Sequence, residues 1–183
     1  MGYNLFLDDI RTPKDVYNYT KNPVYLQDWV IVRNYIDFAN ILHKKGCPDL
    51  ISFDHDLATD QYVPERYWND YDASKLYQES HPSKHGTGYD CAKYLTGYCM
   101  DNDIPLPNYL VHSMNPVGKD TIQKWLESYQ KMEESYKEYS YDYGIDLNRF
   151  VDIIMFRFND LESIMGAVLF WAYVLITIIF IIL

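Results

Sequence analysis

Short apolar runs alternate with helical patterns along the first part of the chain. The apolar runs predict four β-strands, at residues 3–7, 29–32, 50–53 and 109–111. Apolar residues at helical spacing predict helices over residues 37–45, with Gly46 as the C-cap, and over residues 89–100 and 121–131. This alternation predicts an α/β domain over residues 1–131, with a mostly parallel sheet covered by helices.

Residues 58–86 interrupt this pattern with a long polar stretch that is rich in aromatic side chains. We predict a loop here, directly after the third strand. Loops of this length are uncommon in compact domains unless they are functional or disordered. The stretch therefore either closes over a ligand or forms a surface insertion, and its sequence leaves both interpretations open.

The composition changes after Glu162, because residues 163–183 contain no charged side chain. A stretch of this length crosses the hydrocarbon core of a bilayer as a helix. We predict a transmembrane helix at 163–183 that acts as a single-pass tail anchor, in preference to a buried core helix or an oligomerisation segment. Arg149 and Arg157 precede it and favour a cytoplasmic location for the domain. The expected partners are then the lipid bilayer and, as an open alternative, a second copy of the chain in the membrane.

Residues 132–162 join the α/β domain to this anchor. The first part is charged and rich in tyrosine, and its pattern predicts that the preceding helix continues until Gly144 stops it. Apolar residues recur at helical spacing over residues 145–158, which predicts an amphipathic helix. This helix lies either at the membrane surface or against the domain.

Charge and cysteine content restrict the classes of function. The chain has 16 basic and 26 acidic residues, a formal net charge of −10, which excludes binding of duplex nucleic acid through a broad basic surface. Hydrophobic residues make up 48% of the chain, enough for a packed core. The three cysteines lack metal-ligand spacing, so we expect buried, reduced thiols. Cys91 and Cys99 are too far apart on one helix to form a disulfide.

Polar side chains follow three of the four predicted strands, at the point where each strand ends. These are Asp8, Asp9 and Arg11 after the first strand, Asp54, His55 and Asp56 after the third, and His112, Ser113, Asn115, Gly118 and Lys119 after the fourth. Ligands of parallel α/β sheets bind beyond the carboxyl ends of the strands. We therefore expect these three clusters to form one site.

The residue types suggest a role for each cluster. Asp8, Asp9 and Asp54 are the candidate metal ligands, because carboxylates repel one another unless a cation lies among them, and Mg²⁺ or Mn²⁺ suits oxygen ligands. His55, His112 and Asp56 are the candidate catalytic residues, because imidazoles transfer protons near neutral pH. The candidate substrate-binding residues are Arg11, which can clamp a phosphate, and Ser113, Asn115, Gly118 and Lys119, at the start of a helix.

Each of these residues also has a structural explanation when taken alone. Paired aspartates can cap a helix, a single histidine is commonly a structural donor, and Ser-x-Asn-Pro can form a turn. Three such clusters at strand ends favour a functional site over coincidence.

Five segments carry a resemblance to a known family, at residues 5–13, 29–35, 51–57, 87–95 and 111–119. Together they resemble the cyclic-phosphate processing receiver-like family, a branch of the receiver-domain fold, and Phe-Asp-His-Asp-Leu and His-Ser-x-Asn are its most specific segments here. The resemblance implies a receiver-like (flavodoxin-like) three-layer fold. It also implies hydrolysis or binding of cyclic phosphates, either cyclic nucleotides or 2′,3′-cyclic ends of RNA.

We favour a membrane-anchored, metal-dependent phosphoesterase that hydrolyses a cyclic phosphate. One alternative is a non-catalytic module that senses a nucleotide at the membrane. Another is a signalling receiver in which Asp54 accepts a phosphoryl group. A signalling receiver needs a lysine at the end of a fifth strand. No strand is predicted between Ser113 and Lys131, and Lys119 falls at the start of a helix. A further alternative is an acidic surface without a ligand.

Overall fold

A computed structural model of the chain describes residues 2–143, and the side chains of residues 2–135. The strands are β1 (Asn4–Leu7), β2 (Val30–Val32), β3 (Leu50–Phe53) and β4 (Asn108–Val111). The helices are α1 (Pro13–Thr20), α2 (Tyr35–Lys45), α3 (Tyr71–Ser80), α4 (Gly88–Asn102) and α5 (Pro116–Tyr143). One compact unit covers Met1–Ser128, and a second begins at Tyr129.

The four strands form one parallel sheet in the order β2-β1-β3-β4. Leu7 lies opposite both Val32 and Phe53, and Phe53 lies opposite Val111, so all four strands end at the same edge. The predicted parallel sheet is confirmed. Its order matches the first four strands of the flavodoxin-like arrangement, in which ligands bind where the order reverses, between β1 and β3.

Both faces of the sheet are covered, as parallel sheets require. On one face Phe6 packs in a cluster with Val16 of α1 and with Tyr25. On the other face Phe38 of α2 packs against Phe53, and its ring also contacts Tyr94 of α4. The three layers keep water away from the strand backbones, so the polar residues at the strand ends are held on a rigid edge.

Helix α1 was not predicted from the hydrophobic pattern. Val16 is its one buried residue, so it shows no apolar stripe. Its start is fixed instead by Pro13 at the first helical position and by a capping box between Thr12 and Asp15. Helix α5 likewise begins at Pro116, five residues before the predicted start. Asn115 caps its N-terminus by accepting a hydrogen bond from the Gly118 N–H, and Pro116 occupies the first helical position.

The prediction of a loop over residues 58–86 is wrong. This segment contains two 3₁₀ turns, Thr59–Gln61 and Glu65–Tyr67, followed by helix α3. Ser74 is the one buried residue of α3, so the sequence offers no hydrophobic periodicity to reveal the helix. Its N-terminus is capped by Asp70, whose side chain accepts a hydrogen bond from the Ala73 N–H.

Helix α5 continues to Tyr143, as the sequence predicts for the first part of the spacer. Within residues 2–143, every helix is too short or too polar to cross a bilayer. The predicted amphipathic helix at 145–158 and the predicted transmembrane helix at 163–183 lie outside the described residues.

Candidate functional site

The sheet places three predicted site residues next to one another, because each continues the backbone ladder one residue past its strand. The N–H groups of Asp8, Asp54 and His112 each donate to the last carbonyl of the neighbouring strand. The acceptors are Val32, Leu7 and Phe53, at 3.2, 2.8 and 2.9 Å. The order of the strands therefore sets the order of these side chains along the edge.

Carboxylates from two of these strand ends form a cluster. One oxygen each from Asp8, Asp9 and Asp54 lies within 4.8 Å of the others. The predicted convergence of the polar clusters that follow the first and third strands is confirmed. Asp8 and Asp54 are buried, so their mutual repulsion is weakly screened by solvent and requires a positive partner.

Arg11 supplies that positive charge within the protein. Its Nε donates to Asp8 Oδ2 at 2.7 Å and its Nη2 to Asp54 Oδ2 at 2.8 Å, while Nη1 donates to the Tyr19 hydroxyl at 3.3 Å. Burial lowers the pKa of Arg11, but Asp54 and Asp8 outweigh this effect and raise it above its ordinary value. The guanidinium predicted to clamp a phosphate thus clamps two carboxylates here.

The two buried carboxylates differ in acidity. Burial raises the pKa of Asp8, but hydrogen bonds from His112 and Arg11 outweigh it and hold that pKa below its usual range. Asp8 Oδ1 also accepts from the Ile10 and Arg11 backbone N–H groups. For Asp54, burial dominates over the attraction of Arg11, and nearby Asp8 adds to it, so the pKa is raised.

His112 is a buried connector between the cluster and the core. Its Nε2 lies 3.1 Å from Asp8 Oδ2 and its Nδ1 lies 2.7 Å from Ser52 Oγ, so both ring nitrogens are occupied. The ring stacks on Phe6 with centroids 4.5 Å apart. Burial lowers the pKa of His112 despite the opposing influence of Asp8. The geometry suits a residue that positions Asp8 more than one that reaches a substrate.

A second network surrounds His55. Its Nδ1 lies 2.7 Å from Asp56 Oδ1, and the Asn115 side-chain amide donates to both Asp56 oxygens at 3.1 and 3.2 Å. Because a carboxylate only accepts, this contact places the proton of a neutral His55 on Nδ1 and leaves Nε2 as an acceptor. Among the described residues, Nε2 of His55 has no hydrogen-bond partner.

The residues after β4 serve both networks. Besides His112, Ser113 partly offsets the rise in the pKa of Asp54, and the Asn115 side chain donates to Asp56. Asn115 Oδ1 accepts from the Gly118 N–H at 3.0 Å, so that amide, predicted to cradle an anion, already has a partner. A side chain at Gly118 would overlap the His55 ring, 2.1 Å from Cγ. Of the predicted substrate-binding residues in this segment, Lys119 has an exposed side chain.

Several residues that build the site were not among the predicted ones. Arg33 donates to the backbone carbonyls of Asp8 and Arg11 at 2.8 and 2.6 Å, which fixes the loop after β1. Its position directly after β2, at the same edge of the sheet, was a signal that could have identified it. Ser52 is a polar residue within an apolar strand, which was a weaker signal. The bond between Tyr25 and Ser52, at 3.0 Å, depends on tertiary packing.

Tyr62, from the segment that follows β3, reaches the carboxylate cluster. Its hydroxyl donates to Asp9 Oδ2 at 2.5 Å, and burial and this acceptor raise the pKa of Tyr62. The other Asp9 oxygen, Oδ1, is buried and has no hydrogen-bond partner in the described part of the chain. Tyr62 thus fixes one oxygen of Asp9 and leaves the second able to bind something else.

The arrangement fits a divalent cation. Asp8, Asp9 and Asp54 supply three oxygen ligands, the set that Mg²⁺ and Mn²⁺ prefer. The buried Asp9 Oδ1 without a partner is the observation that favours an ion, because an unpaired buried carboxylate oxygen is costly. Their role as metal ligands stays a prediction, as do the catalytic roles of His55, His112 and Asp56.

Comparison with known proteins identifies one family. The family model described as "Cyclic-phosphate processing Receiver domain" matches residues 3–128, more than two thirds of the chain. No curated protein and no solved structure matches this chain. The matched range covers β1 to β4, both networks and the segment that contains Tyr62.

The free energy of unfolding should fall as the pH is lowered from 6.5 to the pKa of folded His112. Because the pKa of folded His112 lies below 6.5, its ordinary value, the unfolded chain binds a proton between these two pH values that the folded chain does not. The free energy of unfolding then decreases with falling pH, by at most about 1.4 kcal/mol per pH unit. We expect His112→Gln to flatten this slope, measured by urea unfolding in EDTA between about pH 5 and 7.

His81→Gln is the matched control, because His81 is exposed on the surface after α3. It should keep the wild-type slope. An unchanged slope in His112→Gln would show that His112 does not control stability in this range.

Proposed function

This chain belongs to the cyclic-phosphate processing receiver domain family, and we propose that it is a membrane-anchored, metal-dependent phosphoesterase. Its substrate is a cyclic phosphate, either a cyclic nucleotide or a 2′,3′-cyclic end. The observation that carries the proposal is the three-carboxylate cluster, in which the buried Asp9 Oδ1 has no partner within the described residues. The His55–Asp56 pair follows Asp54 directly in the sequence, at the same strand end.

Charge balance supports a requirement for a cation. Asp8, Asp9, Asp54 and Asp56 gather at the strand ends, and Arg11 neutralises part of their charge. An anionic phosphate would be repelled by what remains. Asp8, Asp9 and Asp54 would hold the ion, which when bound supplies Lewis-acid polarisation of phosphoryl oxygens and a more acidic water. Exposed Lys119 adds a positive charge that can attract the substrate.

Ring opening requires one proton to be moved. Water adds to phosphorus, one P–O bond of the ring breaks, and the released oxygen takes up a proton, so the product is an acyclic phosphomonoester. His55 is suited to this transfer because Asp56 orients its ring and Nε2 remains available. Asn115 holds Asp56 in turn, which completes an orienting chain of three side chains. We assign proton transfer to His55 and the positioning of Asp8 to His112.

The phospho-accepting receiver is less well supported. A phospho-accepting receiver needs a fifth strand that carries a lysine, but between Ser113 and Lys131 the chain forms helix α5. Asp54 is also buried and paired with Arg11, so its carboxylate is poorly placed to attack a phosphoryl donor. The non-catalytic nucleotide sensor differs from our proposal in turnover alone, so an assay of cyclic-phosphate hydrolysis decides between them.

We expect the full chain to convert 2′,3′- or 3′,5′-cyclic nucleoside monophosphates to linear monophosphates in Mn²⁺ or Mg²⁺, and to lose this activity in EDTA. His55→Ala should lower kcat by about 10²- to 10⁴-fold, the usual contribution of a general acid or base. Product formation is measured by phosphorus NMR. His85→Ala is the control, because the His85 side chain is exposed and bonded to Asp60.

Binding of these nucleotides without turnover would identify a sensor and overturn the enzyme proposal. Equal activity in the wild type and His55→Ala would instead remove His55 from the mechanism and leave the activity standing.

Tyr62→Phe should weaken Mn²⁺ binding by about 10-fold, because loss of a group that orients a metal ligand commonly costs this much. The variant removes only the hydroxyl that holds Asp9. Isothermal titration with Mn²⁺ measures the change in Kd. Tyr71→Phe is the matched control, since Tyr71 lies in the same segment and its hydroxyl donates to Asp120. No Mn²⁺ binding in the wild type would contradict the metal site, and equal Kd values would contradict the role of Tyr62.

Membrane attachment rests on residues 163–183, which carry no charge over a length that spans a bilayer. We expect the full chain to remain in the membrane pellet after an alkaline carbonate wash, and a chain shortened to residues 1–162 to be released into the supernatant. Protease protection of sealed vesicles tests the cytoplasmic side that Arg149 and Arg157 favour. Extraction of the full chain by carbonate would contradict the anchor.

A further inference from the structure

Two cysteines from distant parts of the sequence meet at the edge of the sheet opposite the carboxylate cluster. Cys47 lies in the turn before β3 and Cys99 lies in α4, 52 positions apart, yet their Sγ atoms are 4.0 Å apart. Cys91 and Cys99 share helix α4 and are too far apart along it to form a disulfide. The tertiary packing of α2 and α4 brings Cys99 to Cys47 instead.

The three thiols differ in reactivity. Cys47 is partly exposed, and its hydrogen bond with Cys99 lowers its pKa in spite of burial and the charge of Asp49. A lower pKa increases the fraction of reactive thiolate at neutral pH. Cys91 is fully buried, and burial raises its pKa well above the ordinary value. Attack by a soluble oxidant is therefore directed to Cys47.

We propose that Cys47 and Cys99 are a modification site, at which a hydroperoxide such as hydrogen peroxide forms a reversible intramolecular disulfide while Cys91 stays reduced. The Cys47 thiolate attacks the peroxide, an S–O bond forms and the O–O bond breaks, which gives a sulfenic acid and hydroxide. Cys99 then attacks the Cys47 sulfur, the S–S bond forms, and the oxygen leaves as water with the Cys99 proton. In total two thiols lose two electrons and the peroxide becomes two waters.

The local structure permits this bond. A disulfide needs its sulfurs about 2.05 Å apart, so the present separation must shorten by about 2 Å. Cys99 is held in α4, whereas Cys47 lies outside any helix or strand, in the turn that follows the C-cap of α2. Gly46 is held by hydrogen bonds to Leu42 and Tyr3, so the two sulfurs approach mainly by rotation of the cysteine side chains. The disulfide would join the turn after α2 to helix α4, which already contact each other through these two thiols.

The experiment counts thiols in the full chain before and after a small excess of hydrogen peroxide. After quenching, the protein is denatured and treated with N-ethylmaleimide, and its intact mass is measured. The reduced chain, with three cysteines, should carry three adducts, and the oxidised chain one. Non-reducing peptide mapping should find Cys47 linked to Cys99, and dithiothreitol should restore three adducts.

Matched variants identify the thiols involved. Cys47→Ser should keep both remaining thiols after peroxide, whereas Cys91→Ser should lose both of its thiols and carry no adduct. Three adducts on the treated wild type would overturn the proposal. So would a bond that includes Cys91, a link between two chains on a non-reducing gel, or a sulfinic acid at Cys47 without a link to Cys99. None of these outcomes depends on phosphoesterase activity.

Discussion

The fork of Arg11 between Asp8 and Asp54 is the interaction on which this site depends. Two buried carboxylates at adjacent strand ends would repel each other, and burial alone would favour their neutral forms. The guanidinium gives each carboxylate a hydrogen-bonded positive partner at 2.7 and 2.8 Å. Because Asp8 also accepts from His112, the two acids acquire pKa shifts of opposite sign. Both carboxylates share one cation, and the further hydrogen bonds that Asp8 receives make the two chemically different.

The surrounding contacts fix this cation in place. Arg33, after β2, donates hydrogen bonds to the backbone carbonyls of Asp8 and Arg11. These bonds fix the loop after β1 and therefore the position of the Arg11 guanidinium. From the other side, β4 presents His112 to Asp8, and the loop beyond it presents Asn115 to Asp56. Every strand of the sheet thus contributes a group at its carboxyl end. The parallel order β2-β1-β3-β4 makes this possible, because all four strands end at one edge.

The parts of the structure predictable from sequence are those with a local signal. Apolar runs revealed all four strands, and polar residues directly after them revealed the candidate site, because the chain leaves a buried strand at a defined point. Helices α1 and α3 had no such signal, since each buries one residue and is fixed by its caps. The sequence also did not predict that Arg11 pairs with two carboxylates or that the Gly118 N–H bonds to Asn115. A residue type shows what a group can bind, but the partner that it has depends on the tertiary structure.

The same contacts determine how the cluster would respond to a divalent ion. Arg11 occupies Oδ2 of Asp8 and Oδ2 of Asp54, so an ion must compete with an existing ion pair for those two oxygens. Asp9 Oδ1 has no such partner in the described part of the chain, so coordination there displaces nothing. Asp9 should therefore contribute most to affinity, even though it is the least buried of the three. Its orientation comes from Tyr62, a residue of the segment between β3 and α4. A segment that looks peripheral in the sequence thus orients the carboxylate whose second oxygen, Oδ1, remains available.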